Sequence, residues 1–317
     1  GNLTIAPGSD IENARSGAGD DRLVGNGLDN VLQGGAGDDT LEGGGGADRL
    51  VGGPGADVLR GGDGRDTAVY AGPMADHAVT IGPDTLAVTD ARGATDRLSG
   101  VEALDFGGEA WFAPGGTLDL DALTGVARLS APQLSTFVEM YIAYFDRAPD
   151  APGLFYWGTR LADGMTLPEI AASFFDQDET RAAYPDAGDA AALVDAAYAN
   201  LLERAPDAVG RAYWIEMLET GQVSRGRFML DMISGTRGEG GSRADVRTVE
   251  DKADIGLYFA ATNGLWDVAD ARAAMEAYDS DAPGASLADA RALIDGFAGD
   301  GFTLSLAGVV DDPFAIA

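Results

Sequence analysis

An acid or its amide recurs every nine residues near the start of the chain, at Asp21, Asn30, Asp39, Asp48, Asp57 and Asp66. Each closes a glycine-rich run of six residues and is followed by a three-residue run with an apolar centre. Five such units run head to tail from Gly25 to Val69, and a degraded sixth, Ser16 to Val24, precedes them. Oxygen side chains at a fixed spacing among glycines point to metal binding rather than to acid–base or nucleophilic chemistry. Carboxylate oxygens supplemented by backbone carbonyls make a hard, flexible ligand set, which suits calcium better than magnesium or a transition metal.

For those oxygens to meet, each unit must turn tightly over its first six residues, which glycine permits through positive φ. The last three residues then form a short strand with one inward side chain, giving the set Leu23, Leu32, Leu41, Leu50, Leu59 and Ala68. Two units complete one turn of a flattened parallel β-roll, so alternate units stack at about 4.8 Å. The position-six residues are then expected to face one another as Asp21 with Asp39, Asn30 with Asp48, Asp39 with Asp57, and Asp48 with Asp66. That pairing implies about three or four calcium ions. Asp39→Ala and Asp48→Ala should each damage two sites, and Asp66→Ala one. So glycine-rich a segment loses much chain entropy on ordering and carries repelling acids, so it is expected to be disordered without metal. A flexible linker would not hold Leu and Asp in one frame. A phosphate-binding loop is excluded by the absence of Gly-Lys-Ser/Thr, the only lysine being Lys252.

The formal net charge of −31 and sequence pI of about 4.1 make nucleic acid and anionic membrane surfaces poor partners and favour divalent cations. There is no cysteine, hence no disulfide framework, and no run of 18 apolar residues that would insert in a membrane. The single histidine, His77, reads as an exposed strand residue, and no nucleophile elbow accompanies it, so catalysis within this chain is not expected.

Beyond the repeats, Ala68 to Tyr70, His77 to Ile81, Thr85 to Thr89, Leu98 to Phe106 and Ala110 to Phe112 read as short strands separated by turn residues. They suggest a small β cap on the open end of the roll, whose unpaired edge needs covering. From about Ala131 the apolar period becomes helical, as in Phe137, Met140, Tyr141, Tyr144 and Phe145, and in Leu193, Ala196, Ala197 and Leu201. This all-α part carries an internal repeat. Arg147-Ala-Pro-Asp through Tyr156-Trp157 to Gly164 recurs as Arg204-Ala-Pro-Asp through Tyr213-Trp214 to Gly221, with ten identities in eighteen positions. Each copy reads as a turn in which Asp150 or Asp207 caps an amphipathic helix that a glycine ends. Arg147 and Arg204 are placed to bond the carbonyls ending the preceding helix or to pair with the capping Asp; their roles are fold maintenance or a platform for a partner. Ser242 to Ala261, Val268 to Tyr278 and Ser286 to Phe297 complete the bundle. The expected organisation is multidomain β plus α: a roll over 1–70, a β-rich cap over 71–127, a helical domain over 128–300 and a tail over 301–317.

The first half resembles the C-terminal region of RTX proteins, whose hemolysin-type repeat GGxGxDxUx the nonapeptide units match. The run Asp10 to Asn26 is similar to the start of the β-roll in serralysin-type metalloproteases. Their zinc domain lies upstream, and no His-Glu-x-x-His exists here. The second half resembles an uncharacterised helical domain of bacterial RTX proteins, with a likeness to phycobilisome linker domains. The resemblance implies a calcium-binding protein, secreted or at the cell surface, exported by type I secretion machinery. Val309 to Ala317, acids before an apolar tail, is compatible with the export signal. Three readings of function stand side by side: a calcium-folded module whose helical domain binds a protein or polysaccharide partner, the non-catalytic part of a larger protease, and a surface-layer or adhesin component.

Overall fold

The computed structural model describes residues 1–106, 116–238, 241–298, 301–310, 312 and 314. They divide into two compact units, Gly1–Ala127 with Asp300–Gly308, and Arg128–Gly299 with Val309–Ala317.

The first unit is a parallel β-roll. Its strands β1 (Asn2–Thr4), β2 (Asn13–Arg15), β3 (Arg22–Val24), β4 (Val31–Gln33), β5 (Thr40–Gly45), β6 (Arg49–Val51), β7 (Val58–Asp63) and β8 (Thr67–Val69) fall alternately into two sheets. One sheet holds the odd strands and the other the even ones. The register places Leu23 beside Leu41 and Leu41 beside Leu59 in one, and Leu32 beside Leu50 and Leu50 beside Ala68 in the other. All six inward residues are buried, because one apolar side chain per strand is all that the narrow space between the two sheets admits.

After β8 the chain leaves the roll through the antiparallel hairpin β9 (His77–Gly82) and β10 (Thr85–Asp90), turns at Asp90, and continues antiparallel as β11 (Thr95–Ser99). Both turns fall where Gly82-Pro-Asp and Asp90-Ala-Arg-Gly place them. β11 then lies parallel on β7, with Leu98 on Leu59, and β12 (Ala103–Asp105) lies parallel on β8, with Leu104 on Ala68. β13 (Thr117–Asp119) closes the second sheet antiparallel to β12. Residues 77–105 and 117–119 therefore pair onto the open edges at β7 and β8 and extend both sheets, and 95–105 resume the roll itself. The expected strand Ala110 to Phe112 lies outside the described residues.

In the second unit, α1 (Ala131–Phe145) is the central helix. It begins at a capping box in which Ser130 and Gln133 exchange bonds, and its Phe137, Tyr144 and neighbours are fully buried. Around it run α2 (Ala151–Ala162), α3 (Leu167–Phe175), α4 (Asp178–Ala183), α5 (Ala190–Leu202), α6 (Ala208–Glu219), α7 (Phe228–Thr236), α8 (Arg243–Leu257), which continues as a π-helical turn to Thr262, α9 (Val268–Glu276) and α10 (Pro283–Phe297). The internal repeat superposes α1–α2 on α5–α6. Both first helices end on a left-handed residue, Asp146 or Glu203, immediately before the Arg-Ala-Pro-Asp turn. Both second helices stop at a positive-φ glycine, Gly164 or Gly221.

The chain then returns to the first unit. β14 (Thr303–Leu306) pairs parallel with β9, placing Leu304 beside Val79, so the first part of the segment read as a tail is an edge strand of the roll's larger sheet. Alternating Phe302, Leu304 and Leu306 supply its buried face.

Candidate metal centre

The position-six side chains stand in two columns. Asp21, Asp39 and Asp57 form one, and Asn30, Asp48 and Asp66 the other. Asn30, Asp39, Asp48, Asp57 and Asp66 are all buried. Successive members are locked by a reciprocal pair of bonds. The backbone N–H of Asp21 donates to Asp39 Oδ1 at 2.8 Å, Asn30 to Asp48 at 2.7 Å, Asp39 to Asp57 at 2.8 Å and Asp48 to Asp66 at 2.7 Å. In return, the N–H following each lower residue donates to the carbonyl of the upper one, as Arg49 does to Asn30 and Thr67 to Asp48. The sequence pairs thus stack, but as amide to carboxylate; the expectation that acids face acids missed the backbone donor that each Oδ1 accepts from the rung before it.

The second oxygen is the informative one. Oδ2 of Asp39, Asp48, Asp57 and Asp66 is buried and has no hydrogen-bond partner. A buried carboxylate oxygen left unpaired costs several kcal/mol in order of magnitude, and four in one small domain call for a ligand. The first glycine of each unit keeps the surrounding space open. A Cβ on Gly43 would lie 2.1 Å from Asp48 Oδ2 and 2.7 Å from the Gly61 carbonyl oxygen, and on Gly34, 2.3 Å from Asp39 Oδ2 and 2.8 Å from the Gly52 oxygen. A carboxylate and a carbonyl oxygen converge there with no donor to share. Hard oxygens of both kinds are what calcium takes, so the residues fit that ion. Among the described residues no three His, Asp or Glu side chains gather at one point, so backbone carbonyls must complete any shell.

Electrostatics agree with the geometry. Burial pushes the Asp57 carboxyl up to about 7, with Asp96 and Asp39 adding like charge, and the Asp48 carboxyl up to about 6, with Asp66 and Asp29 adding. Burial raises Asp39 and Asp66 in the same direction. Among the described residues no basic side chain pairs with Asp39, Asp48, Asp57 or Asp66. Asn30 and Asp21 differ from the other four. Asn30 Oδ1 accepts the N–H of Asn26 within its own turn at 2.8 Å, and Asp21 opens its column against the chain's first amino group.

Several members were not read from the sequence. Position-five acids make an outer ladder, in which Asp38 N–H donates to Asp20, Ala47 to Asp29 and Ala56 to Asp38. The inner columns also run past the repeats, for Asp57 N–H donates to Asp96 Oδ1 at 2.8 Å and Asp66 N–H to Glu102 Oε2 at 2.7 Å. A signal existed for the first: Asp96-Arg-Leu-Ser-Gly100 echoes Asp48-Arg-Leu-Val-Gly52. His77 is not exposed. It is buried against Tyr70 and Phe106, and its Nδ1 lies 3.1 Å from the Pro73 carbonyl, because the hairpin folds its strand onto that aromatic cluster.

In the helical unit the two arginine turns diverge. Arg147 is buried, and its guanidinium bonds Glu179 through Nε at 2.6 Å and Nη2 at 3.0 Å, Asp150 at 3.2 Å and the Ala148 carbonyl at 2.9 Å. Asp150 meanwhile caps α2 by accepting from Gly153 N–H. Arg204 instead makes a two-point pair with Asp245 at 2.7 and 2.6 Å and bonds the Ala205 carbonyl, while Asp207 caps α6 alone. Neither arginine bonds the end of the preceding helix; each carbonyl it meets is one residue on. Leu154 and Phe155 of α2 are fully buried, whereas on α6 Val209 is 81% and Tyr213 52% exposed. Tyr213 and Trp214 border a cavity of about 670 Å³ that Arg204 and Asp245 also line.

Residues 15–50 and 42–69 match the RTX calcium-binding nonapeptide repeat (4 copies). Residues 171–236 match a domain of unknown function, DUF4214. No curated protein matches the chain. Among solved structures, the extracellular lipase LipA from Serratia marcescens is similar at 22% identity and a TM-score of 0.28, over 32% of this chain and 16% of the lipase. The match therefore spans a small part of that protein. The first unit is a calcium-binding RTX β-roll, followed by a helical domain, and among the described residues no helix is long and apolar enough to cross a membrane.

Proposed function

We propose that this chain is a calcium-folded module of a secreted or cell-surface protein. In this reading Asp39, Asp48, Asp57 and Asp66, with Asp21 and Asn30 at the head of the columns, hold about three or four calcium ions. The helical unit docks a protein or polysaccharide partner. The observation that carries the reading is the set of four buried Oδ2 atoms without a hydrogen-bond partner, each beside a glycine whose missing Cβ leaves the space open. Bound calcium supplies the positive charge that these oxygens lack.

The chain's own residues do the rest. Each Oδ1 fixes the register of the rung before it, and the inward leucines close the space between the sheets. Because each carboxylate serves both a backbone amide and a cation, charge compensation and strand stacking are one event, and folding follows calcium. Extracellular modules bind calcium at about 0.1–1 mM, so the roll stays open where calcium is scarce and closes outside the cell. Export by type I secretion machinery belongs to the same reading, since RTX repeats are typical of secreted proteins.

The docking role rests on the contrast within the internal repeat: the α6 copy leaves Val209 and the Arg204 guanidinium accessible, where the α2 copy buries their counterparts Pro152 and Arg147. We assign no catalysis to this chain; His77 is enclosed in a packed aromatic cluster. Calorimetric titration of the metal-stripped chain up to 10 mM calcium tests the proposal. Binding of about three or four ions near 0.1–1 mM supports it, and absence of binding overturns it.

A further inference from the structure

The columns do not end where the repeats end. Asp66 is the last position-six residue of the nonapeptide frame, and by that frame its column stops there. Its surroundings are nevertheless those of an internal rung. Asp66 is fully buried and its Oδ2 has no partner. A Cβ on Gly61 would lie 2.3 Å from that Oδ2 and 1.8 Å from the carbonyl oxygen of Gly100, just as one on Gly43 meets Asp48 Oδ2 and the Gly61 oxygen. The Gly100 carbonyl oxygen thus stands where that of a unit's first glycine stands, although Gly100 itself has a φ of 57° and those glycines are not left-handed.

The reciprocal bonds continue too. Asp66 N–H donates to Glu102 Oε2 at 2.7 Å, and Ala103 N–H returns to the Asp66 carbonyl at 3.1 Å. Asp57 and its partner Asp96 are 39 residues apart, but Asp66 and Glu102 are only 36 apart. The turn between β11 and β12 is therefore three residues shorter than a repeat turn. Ala103 nevertheless stays in register with Thr67, so Glu102 takes the place of a position-six residue and its carboxylate accepts the same backbone bond.

We propose that Asp66 of the last nonapeptide unit is completed as a calcium site by two residues beyond the repeats, Gly100 and Glu102. Asp66 Oδ2 and the Gly100 carbonyl are the oxygen ligands, and Glu102 is the positioning residue that holds the Asp66 backbone in register. The proposal rests on the calcium reading of the roll. It makes Asp66 an internal rung, so Asp66→Ala damages two sites, as Asp48→Ala does, and it ties the segment that resumes the roll to metal binding.

The test is equilibrium dialysis of the metal-stripped full chain against calcium alone, with far-ultraviolet circular dichroism of each sample. Four proteins are compared: the unaltered chain, Asp48→Ala, Glu102→Ala and Glu102→Gln. Glu102→Ala removes the acceptor that holds the Asp66 backbone, and should bind one ion fewer than the unaltered chain while retaining its β signal. Glu102→Gln keeps an acceptor oxygen at full reach and should keep the full count with weaker binding. If Asp48→Ala loses ions while Glu102→Ala binds as many as the unaltered chain, the site beyond the repeats is refuted and the calcium reading survives. If the unaltered chain binds none, the calcium reading itself fails.

Discussion

Three consecutive glycines in one turn should respond differently to the same added methyl. A Cβ on Gly43 would sit 2.1 Å from Asp48 Oδ2 and 2.7 Å from the Gly61 oxygen, well inside contact distance. Its φ is not positive, so alanine meets no backbone penalty there, and the conflict is with the carboxylate and carbonyl alone. Relief requires a shift of about 1 Å, which draws Oδ2 from its place and strains the Oδ1 bond to Asn30 N–H. Overpacking of this kind costs about 1–3 kcal/mol, which, shared over about three or four ions taken up on folding, is roughly a 1.5- to fivefold rise in the calcium concentration needed for folding. At Gly45 the nearest atoms are 3.7 and 3.8 Å away, ordinary contacts, and alanine should move the midpoint less. Gly44 combines a φ of 112° with an approach of 2.2 Å to the Asn26 oxygen, so alanine there should do most harm. The gain that alanine brings by restricting the unfolded chain applies to all three and cancels in the comparison. Calcium titrations followed by far-ultraviolet circular dichroism would rank the variants. Equal midpoints for Gly43→Ala and Gly45→Ala would refute the assignment of the Gly43 space to metal ligation.

Acidity should substitute in part for calcium. Asp48 and Asp57 are raised to about 6 and about 7 in the metal-free roll, above the ordinary 3.8, so the folded form binds protons that the unfolded form releases. That contribution is fully present below about pH 4 and lost as pH rises through about 6 to 7. Metal-free protein should therefore gain β signal on acidification across this window, while calcium affinity falls; a pH-independent spectrum would contradict the burial of these carboxylates. The two arginine turns should differ in weight. Arg147→Ala leaves Asp150 buried without its partner and should cost the helical unit about 3–5 kcal/mol. Arg204→Ala breaks a pair whose guanidinium is 38% exposed and should cost less, about 1 kcal/mol, both read from urea unfolding at 222 nm.

What could be read from the sequence was what recurs at constant spacing. Leu23 to Ala68 and Asp21 to Asp66 declared the roll, its handover between sheets and its stacking, because a fixed period forces each pair into the same relation. The helical repeat likewise declared the caps at Asp150 and Asp207. The missed features are those where the period breaks or the partner is distant. Asp96 and Leu98 resume the roll only after the β9–β10 hairpin, and Glu102 hides behind a shortened turn and a change of residue type. β14 reaches β9 from 225 residues along the chain, as the Thr80–Ser305 bond shows, and no local pattern reports such a pairing. Arg147 and Arg204 were placed in their turns correctly, but their acids, Glu179 and Asp245, come from different elements, α4 and α8. The orphaned Oδ2 atoms emerged only from three-dimensional packing, since the sequence shows a carboxylate but not which of its oxygens the backbone takes.

Amide hydrogen exchange on the full chain, compared between saturating calcium and chelator, tests calcium-coupled folding most directly. The amides of Asn30, Asp39 and Asp48, which donate to the carboxylates of Asp48, Asp57 and Asp66, should exchange slowly with calcium and fast without it, while α1 to α8 stay protected in both. Equal protection of the roll amides in the two conditions would show that its strands stack without the cation and would contradict the account.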